Sequence, residues 1–198
     1  MGTKFDRDKF IHSVIFFAEN TNPKYYGKTK ALKLLFFSDF THLRRYGRTI
    51  IGDRYFKLEQ GPIPTKSMNI IAAIYEKKND IIPDLGKDLA RNMRKAFEVK
   101  GRTVGPYQQQ RIIPKIQFDG SFFSDSEREV MREIARRFKN STAKQVVEAS
   151  HRDVVFKKTR LNEEISLLLA FEGDKKGQKY FKYWKQETDE MSRVLDFD

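Results

Sequence analysis

The stretch from Lys28 to Tyr46 narrows the choice of fold more than any other feature. Read as a helix, it distributes Leu32, Leu34, Leu35, Phe36, Phe37, Phe40 and Leu43 around most of its circumference. A helix apolar on nearly every side is stable only inside a protein. Other elements must therefore wrap it. The chain has the material: 198 residues suit one domain, 39% of them are hydrophobic and 17 are Phe, enough to fill one sizeable core. Gly47 follows in the position that favours a left-handed cap and so ends the helix.

The remaining segments supply the wrapping. Phe5 to Glu19 reads as a helix, with Phe10, Val14 and Phe17 at helical spacing and Asp6 and Asp8 suiting its N-terminus. Asn20 to Pro23 closes it. After Gly52-Asp53, a turn signal, a strand is predicted at Arg54–Leu58. Gly61-Pro62-Ile63-Pro64 must be extended or turned, because each proline pushes the residue before it out of the α region. Thr65 can then cap a third helix to about Lys78. Pro83–Val99 reads as a fourth, more exposed helix, and Arg111–Phe118 as an edge strand carrying Pro114. Ser124-Asp-Ser-Glu127 is a capping box opening a helix to Phe138. Ser141 or Thr142 caps another to His151, Asn162 opens one through Phe171, and Lys176–Leu195 forms the last. The expected fold is mainly α (α+β): a compact helical single domain around a buried central helix, with a small antiparallel sheet.

Several chemistries lack their residues. There is no cysteine, which removes disulfides, thiolate zinc sites and a Cys nucleophile. His12, His42 and His151 show no paired ligand spacing, so no metal site is expected. No phosphate-binding glycine loop is present. Ser150-His151 reads as a polar pair at a helix end, because adjacent helical residues point about 100° apart and cannot form a nucleophile–base bond. No apolar run approaches the ~20 residues of a membrane span, and the N-terminal residues lack a secretory core. No cofactor, no enzyme activity and no membrane partner are expected, and the location is expected to be cytoplasmic.

Three features stand out. Asp39 lies between Leu35 and Leu43 on the central helix, where an ionised carboxylate needs partners. It reads as a buried tether to Arg54, Tyr55 or the backbone amides of the Gly47–Asp53 turn, ahead of a catalytic acid or base. Second, Lys87, Arg91, Arg94 and Lys95 recur on one face of the expected fourth helix. The segment 87–115 carries eight basic residues against two acids, a net +6 out of +12 for the chain. Such a patch is a solvated helix face, a docking site for an acidic protein, or a contact for DNA or RNA phosphates. Third, the terminal helix aligns Tyr180, Tyr183, Trp184 and Met191 near one stripe, suited to core packing or to an interface.

The series Lys33-Leu-Leu-Phe-Phe-Ser-Asp39, Tyr46-Gly-Arg-Thr-Ile-Ile-Gly-Asp53 with Tyr55, and Gly61-Pro-Ile-Pro64 resembles the SocA-like antitoxin family, also called the Panacea domain. That family runs KLLYFAD, a short spacer, YGRPITGDxY, then YGPVP. Ser150-His151 looks like the Ser-His pair near the end of its domain. Phe36 stands for the usual Tyr, Ser38 for Ala, Thr49 for Pro and Gln60 for Tyr. The resemblance implies a domain over 1–151, followed by a helical extension at 152–198 packed on it. Asp39, Gly47, Gly52, Asp53, Gly61 and Pro62 then take structural roles. The implied function is that of a bacterial or prophage antitoxin that neutralises a cognate toxin protein by direct binding, with some members acting as protease adapters. Candidate partner contacts are Lys87, Arg91, Arg94, Lys95, Tyr180 and Trp184. The alternative is a nucleic-acid-binding autoregulator using the basic face.

Overall fold

The central position of the second helix is visible in a computed structural model that describes residues 4–77, 93–104 and 107–195. Helix α1 (Arg7–Asn20) is capped by the Asp6 side chain, which accepts from the Lys9 amide at 3.0 Å. Helix α2 (Lys28–Tyr46) follows, with Leu32, Leu34, Leu35, Phe36, Phe37, Phe40 and Leu43 all buried. Gly47 ends it at φ 76°, donating its amide to the Leu43 carbonyl at 2.9 Å.

Strands β1 (Tyr55–Leu58) and β2 (Gly61–Pro64) form an antiparallel hairpin in the register Tyr55↔Pro64 to Leu58↔Gly61. Helix α3 (Thr65–Glu76) starts immediately after it. Thr65 does not cap this helix, as the sequence suggested, because it already lies inside the first turn. Asp53 takes that role from a distance: its carboxylate accepts the amides of Lys66 and Ser67 at 3.1 and 2.8 Å. A carboxylate placed there satisfies otherwise unpaired amides and complements the helix dipole.

The expected fourth helix is corrected over its last residues. Residues 83–92 of that span, with Lys87 and Arg91, lie outside the described residues. Met93–Ala96 is helical, but Phe97–Val99 belongs to strand β3 (Phe97–Val104), which pairs antiparallel with β4 (Tyr107–Pro114) from Phe97↔Pro114 to Val104↔Tyr107. The edge strand predicted at Arg111–Phe118 is therefore shifted toward the N-terminus. Pro114 sits at the strand's last position, where a missing amide is tolerated. The sheet component is thus two separate two-stranded ribbons among the described residues.

A 3-10 turn (Gly120–Phe122) leads into α4 (Asp125–Phe138), opened by a complete capping box between Ser124 and Glu127. Helix α5 (Ala143–His151) opens on a second box, Thr142 with Gln145. Ser124→Ala is expected to lower stability by about 1 kcal/mol, the usual effect of losing an N-cap oxygen, as read by urea titration. The helix predicted from Asn162 does not form. Asn162 adopts φ 65°, Glu164 bridges to Phe56 beside β1, and only Leu167–Phe171 coils, as a 3-10 turn. A short helix α6 (Val154–Lys157) precedes it, and α7 (Lys175–Leu195) closes the chain. Helix α2 packs against α1, α3, α4, α5, both hairpins and the Leu167–Phe171 turn. Its all-round apolar surface is explained by these neighbours.

Candidate functional site

The polar residues of the central helix converge on the loops that follow it. Gly47 turns the chain back along α2, so that the Ile50 and Ile51 amides meet Asp39 Oδ1 at 2.8 and 3.0 Å. The Tyr55 hydroxyl donates to Oδ2 at 2.8 Å. Arg54, the third partner considered from sequence, pairs instead with Glu164. Asp39 is completely buried. Burial pushes its carboxyl up to about 7, against the pull of the three donors. The Tyr55 phenol is raised well above its usual value, by burial first and by Asp39 next. These contacts make Asp39 a tether between α2, the loop and β1.

Gly52, at φ 69°, reverses the chain beside Asp53. Besides the two α3 amides, Asp53 accepts from the Arg54 amide at 2.7 Å and from the Ser67 hydroxyl at 2.7 Å. Burial raises its carboxyl while the Ser67 donors oppose the rise.

A third convergence, around Gly61, was not legible as a site. Lys33 is fully buried and donates from Nζ to the Pro62 carbonyl at 2.7 Å. Burial pulls its amine down to about 7. A Cβ built on Gly61 would lie 2.6 Å from Ser150 Oγ, 2.9 Å from Lys33 Nζ and 3.2 Å from the His151 ring. Gly61 has φ 95°, so both backbone and space require glycine. Ser150 Oγ donates to the Val147 carbonyl at 2.7 Å within its own helix. The His151 ring stacks on Phe156 at 4.4 Å, and its buried Nε2 has no hydrogen-bond partner. Burial and then the charges of Lys33 and Lys57 lower the His151 pKa. Ser150 and His151 are thus neighbours in a packed knot, and the serine proton rests on a carbonyl. The signal that could have revealed Lys33 is the one that revealed Asp39: a charge on a helix with no polar side.

The other histidines are bound into structure. His42 Nδ1 lies 2.7 Å from the Arg48 carbonyl and so carries the proton, while Nε2 accepts from Ser126 at 3.1 Å. His12 Nδ1 accepts the Asp119 amide at 3.1 Å, and the ring stacks on Phe122. No cluster of metal-ligating side chains occurs among the described residues.

The candidate partner residues that are described, Arg94, Lys95, Tyr180 and Trp184, occupy two regions. Lys95 is exposed just before β3, while Arg94 is partly buried and donates to the Ala73 carbonyl. On α7, Trp184 packs beside Phe181, which is itself stacked near Phe171. Tyr180 and Tyr183, three residues apart, are 66% and 63% exposed.

No helix among the described residues is long and apolar enough to cross a membrane. No curated protein and no solved structure matches the chain. The family model of the antitoxin SocA-like, Panacea domain matches residues 32–154, a span that contains all three convergences and leaves α1 and α7 outside. The chain belongs to the SocA-like antitoxin family.

Proposed function

We propose that this protein neutralises a cognate toxin protein by binding it directly, acting by contact rather than by turnover, in the cytoplasm of a bacterium or prophage host. The family match over 32–154 carries the reading. The internal geometry supports it: Lys33, Asp39 and Asp53 hold backbone groups of the chain itself, which leaves partner recognition to the outer surface. The strongest protein-facing candidate is the tyrosine patch. The Tyr180 ring lies 3.6 Å from where a Cβ on Gly47 would sit, beside Tyr46, which is 44% exposed. With Tyr183 one helical turn away, this end of α2 and α7 presents aromatic rings with polar tips, the side chains that anchor protein interfaces.

The test is co-expression with the product of the neighbouring gene. Restored growth and co-purification are expected; continued toxicity without a complex would reject the reading. A Tyr180→Ala/Tyr183→Ala variant should lose at least about tenfold in affinity for that partner, a value typical of interface anchors, with an unchanged melting temperature.

A further inference from the structure

The hairpin β3–β4 places its cations by strand register. Directly paired residues of an antiparallel ribbon share a face. Phe97, Val99 and Ile112 are buried on the inner side, where Gly101 lies against the Tyr75 hydroxyl. The other side therefore carries Glu98, Lys100 and Arg102 from β3, opposite Ile113, Arg111 and Gln109 from β4, of which the β4 residues are partly buried and Gln109 packs against Gly27 at the start of α2. Lys100 faces Arg111 directly, and Arg102 is diagonal to it. Lys115 joins them, since its ammonium lies 3.8 Å from the Glu98 carboxylate, and that same carboxylate takes Lys100 at 2.7 Å. One acid thus serves this outer face among the described residues. Lys100, Arg102 and Lys115 are exposed.

Like charges placed directly opposite on a ribbon destabilise it, so the arrangement is not explained by folding. Between Glu98 and Arg102 on β3, and between Gln109 and Ile113 on β4, this face bears no aromatic ring, and its one large apolar side chain there, Ile113, is partly buried. Protein–protein interface cores are depleted in charge and rich in aromatics, whereas nucleic-acid interfaces are polar and strongly positive. A two-stranded ribbon also has the width to enter a groove about 12 Å across. We infer that the outer face of the β3–β4 ribbon binds the phosphodiester backbone of nucleic acid, through Lys100, Arg102, Arg111 and Lys115. This surface is a strand ribbon, not the helical face expected from the sequence, and it does not depend on the toxin-binding reading.

The experiment is fluorescence anisotropy of the full chain with a labelled 30-base-pair random-sequence DNA duplex, and with an RNA of the same length, at 50 and 200 mM salt. Each neutralised phosphate on B-DNA contributes about −0.9 to the slope of log affinity against log salt. Four contacts therefore predict roughly a 100-fold loss across that range. Lys100→Gln/Arg102→Gln should weaken binding more than tenfold and cut the slope by about 2. Lys175→Gln/Lys176→Gln, at exposed cations on α7, should change either quantity far less. Tighter binding to the duplex or to RNA identifies which backbone is used, and either result supports the inference. No binding at 50 mM, or equal losses in the two variants, would overturn it. So would a ribbon variant that weakens only the toxin complex, which would make this face a protein contact.

Discussion

Gly61→Ala is expected to lower folding stability by about 2–4 kcal/mol, combining left-handed strain with overpacking. The new methyl group would stand 2.6 Å from Ser150 Oγ and 2.9 Å from Lys33 Nζ. Ser150 is held by its own helix, so Lys33 has to move and give up the Pro62 carbonyl. Gly173 separates the two contributions. It has φ 83° with nothing within 4 Å of a built Cβ, so Gly173→Ala carries the backbone strain alone, about 1–2 kcal/mol. Urea titrations of the two variants should differ by the steric contribution. Equal losses would mean that the knot of Lys33, Ser150 and His151 is not closed around Gly61.

Asp39→Ala is expected to destabilise by about 2–4 kcal/mol, because two backbone amides and the Tyr55 hydroxyl lose their acceptor in a buried place. Asp39→Asn keeps an oxygen for the amides and should lose less. The asparagine also exposes the pH behaviour of the carboxylate. With a folded value of about 7 against 3.8 for the ordinary side chain, the folded state holds a proton that the unfolded state has released between those limits. Stability from this group is therefore greatest below about pH 4 and declines as pH rises toward 7. Lys33 acts in the next window: with its amine at about 7 against 10.5, its contribution rises with pH from 7 toward 10.5. Denaturation midpoints measured from pH 4 to 7 should fall more steeply for the wild type than for Asp39→Asn. Parallel profiles would show that Asp39 does not titrate in that range.

The elements most legible in the sequence were those set by short-range physics. The capping boxes at Ser124 and Thr142, the glycine end of α2 and its apolar circumference need only neighbouring residues to be read. Asp39 was legible as a tether because a carboxylate on such a helix demands donors, and the turn that supplies them follows within fifteen residues. Segments decided by distant partners were harder. Phe97–Val99 has helical-looking apolar spacing with Met93, yet the chance to pair with Ile112–Pro114 makes it a strand. The stretch after Asn162 lies along β1, where the Lys57 amide donates to the Glu163 carbonyl and the Ile165 amide to the Tyr55 carbonyl. Those bonds outweigh its weak helical propensity. Asp53 capping α3, and Lys33 reaching Pro62, depend on contacts that no local pattern announces.

The burial of α2 also bears on how the chain must be made. A ribosome releases this greasy segment while Phe138, which stacks on Phe37 at 4.7 Å, and Ala170, whose carbonyl receives the Arg44 side chain, are still to be translated. Until they emerge, the nascent polypeptide carries an uncovered oily rod and is prone to clump. Its safe production therefore depends on sheltering that rod until Ala170 has emerged.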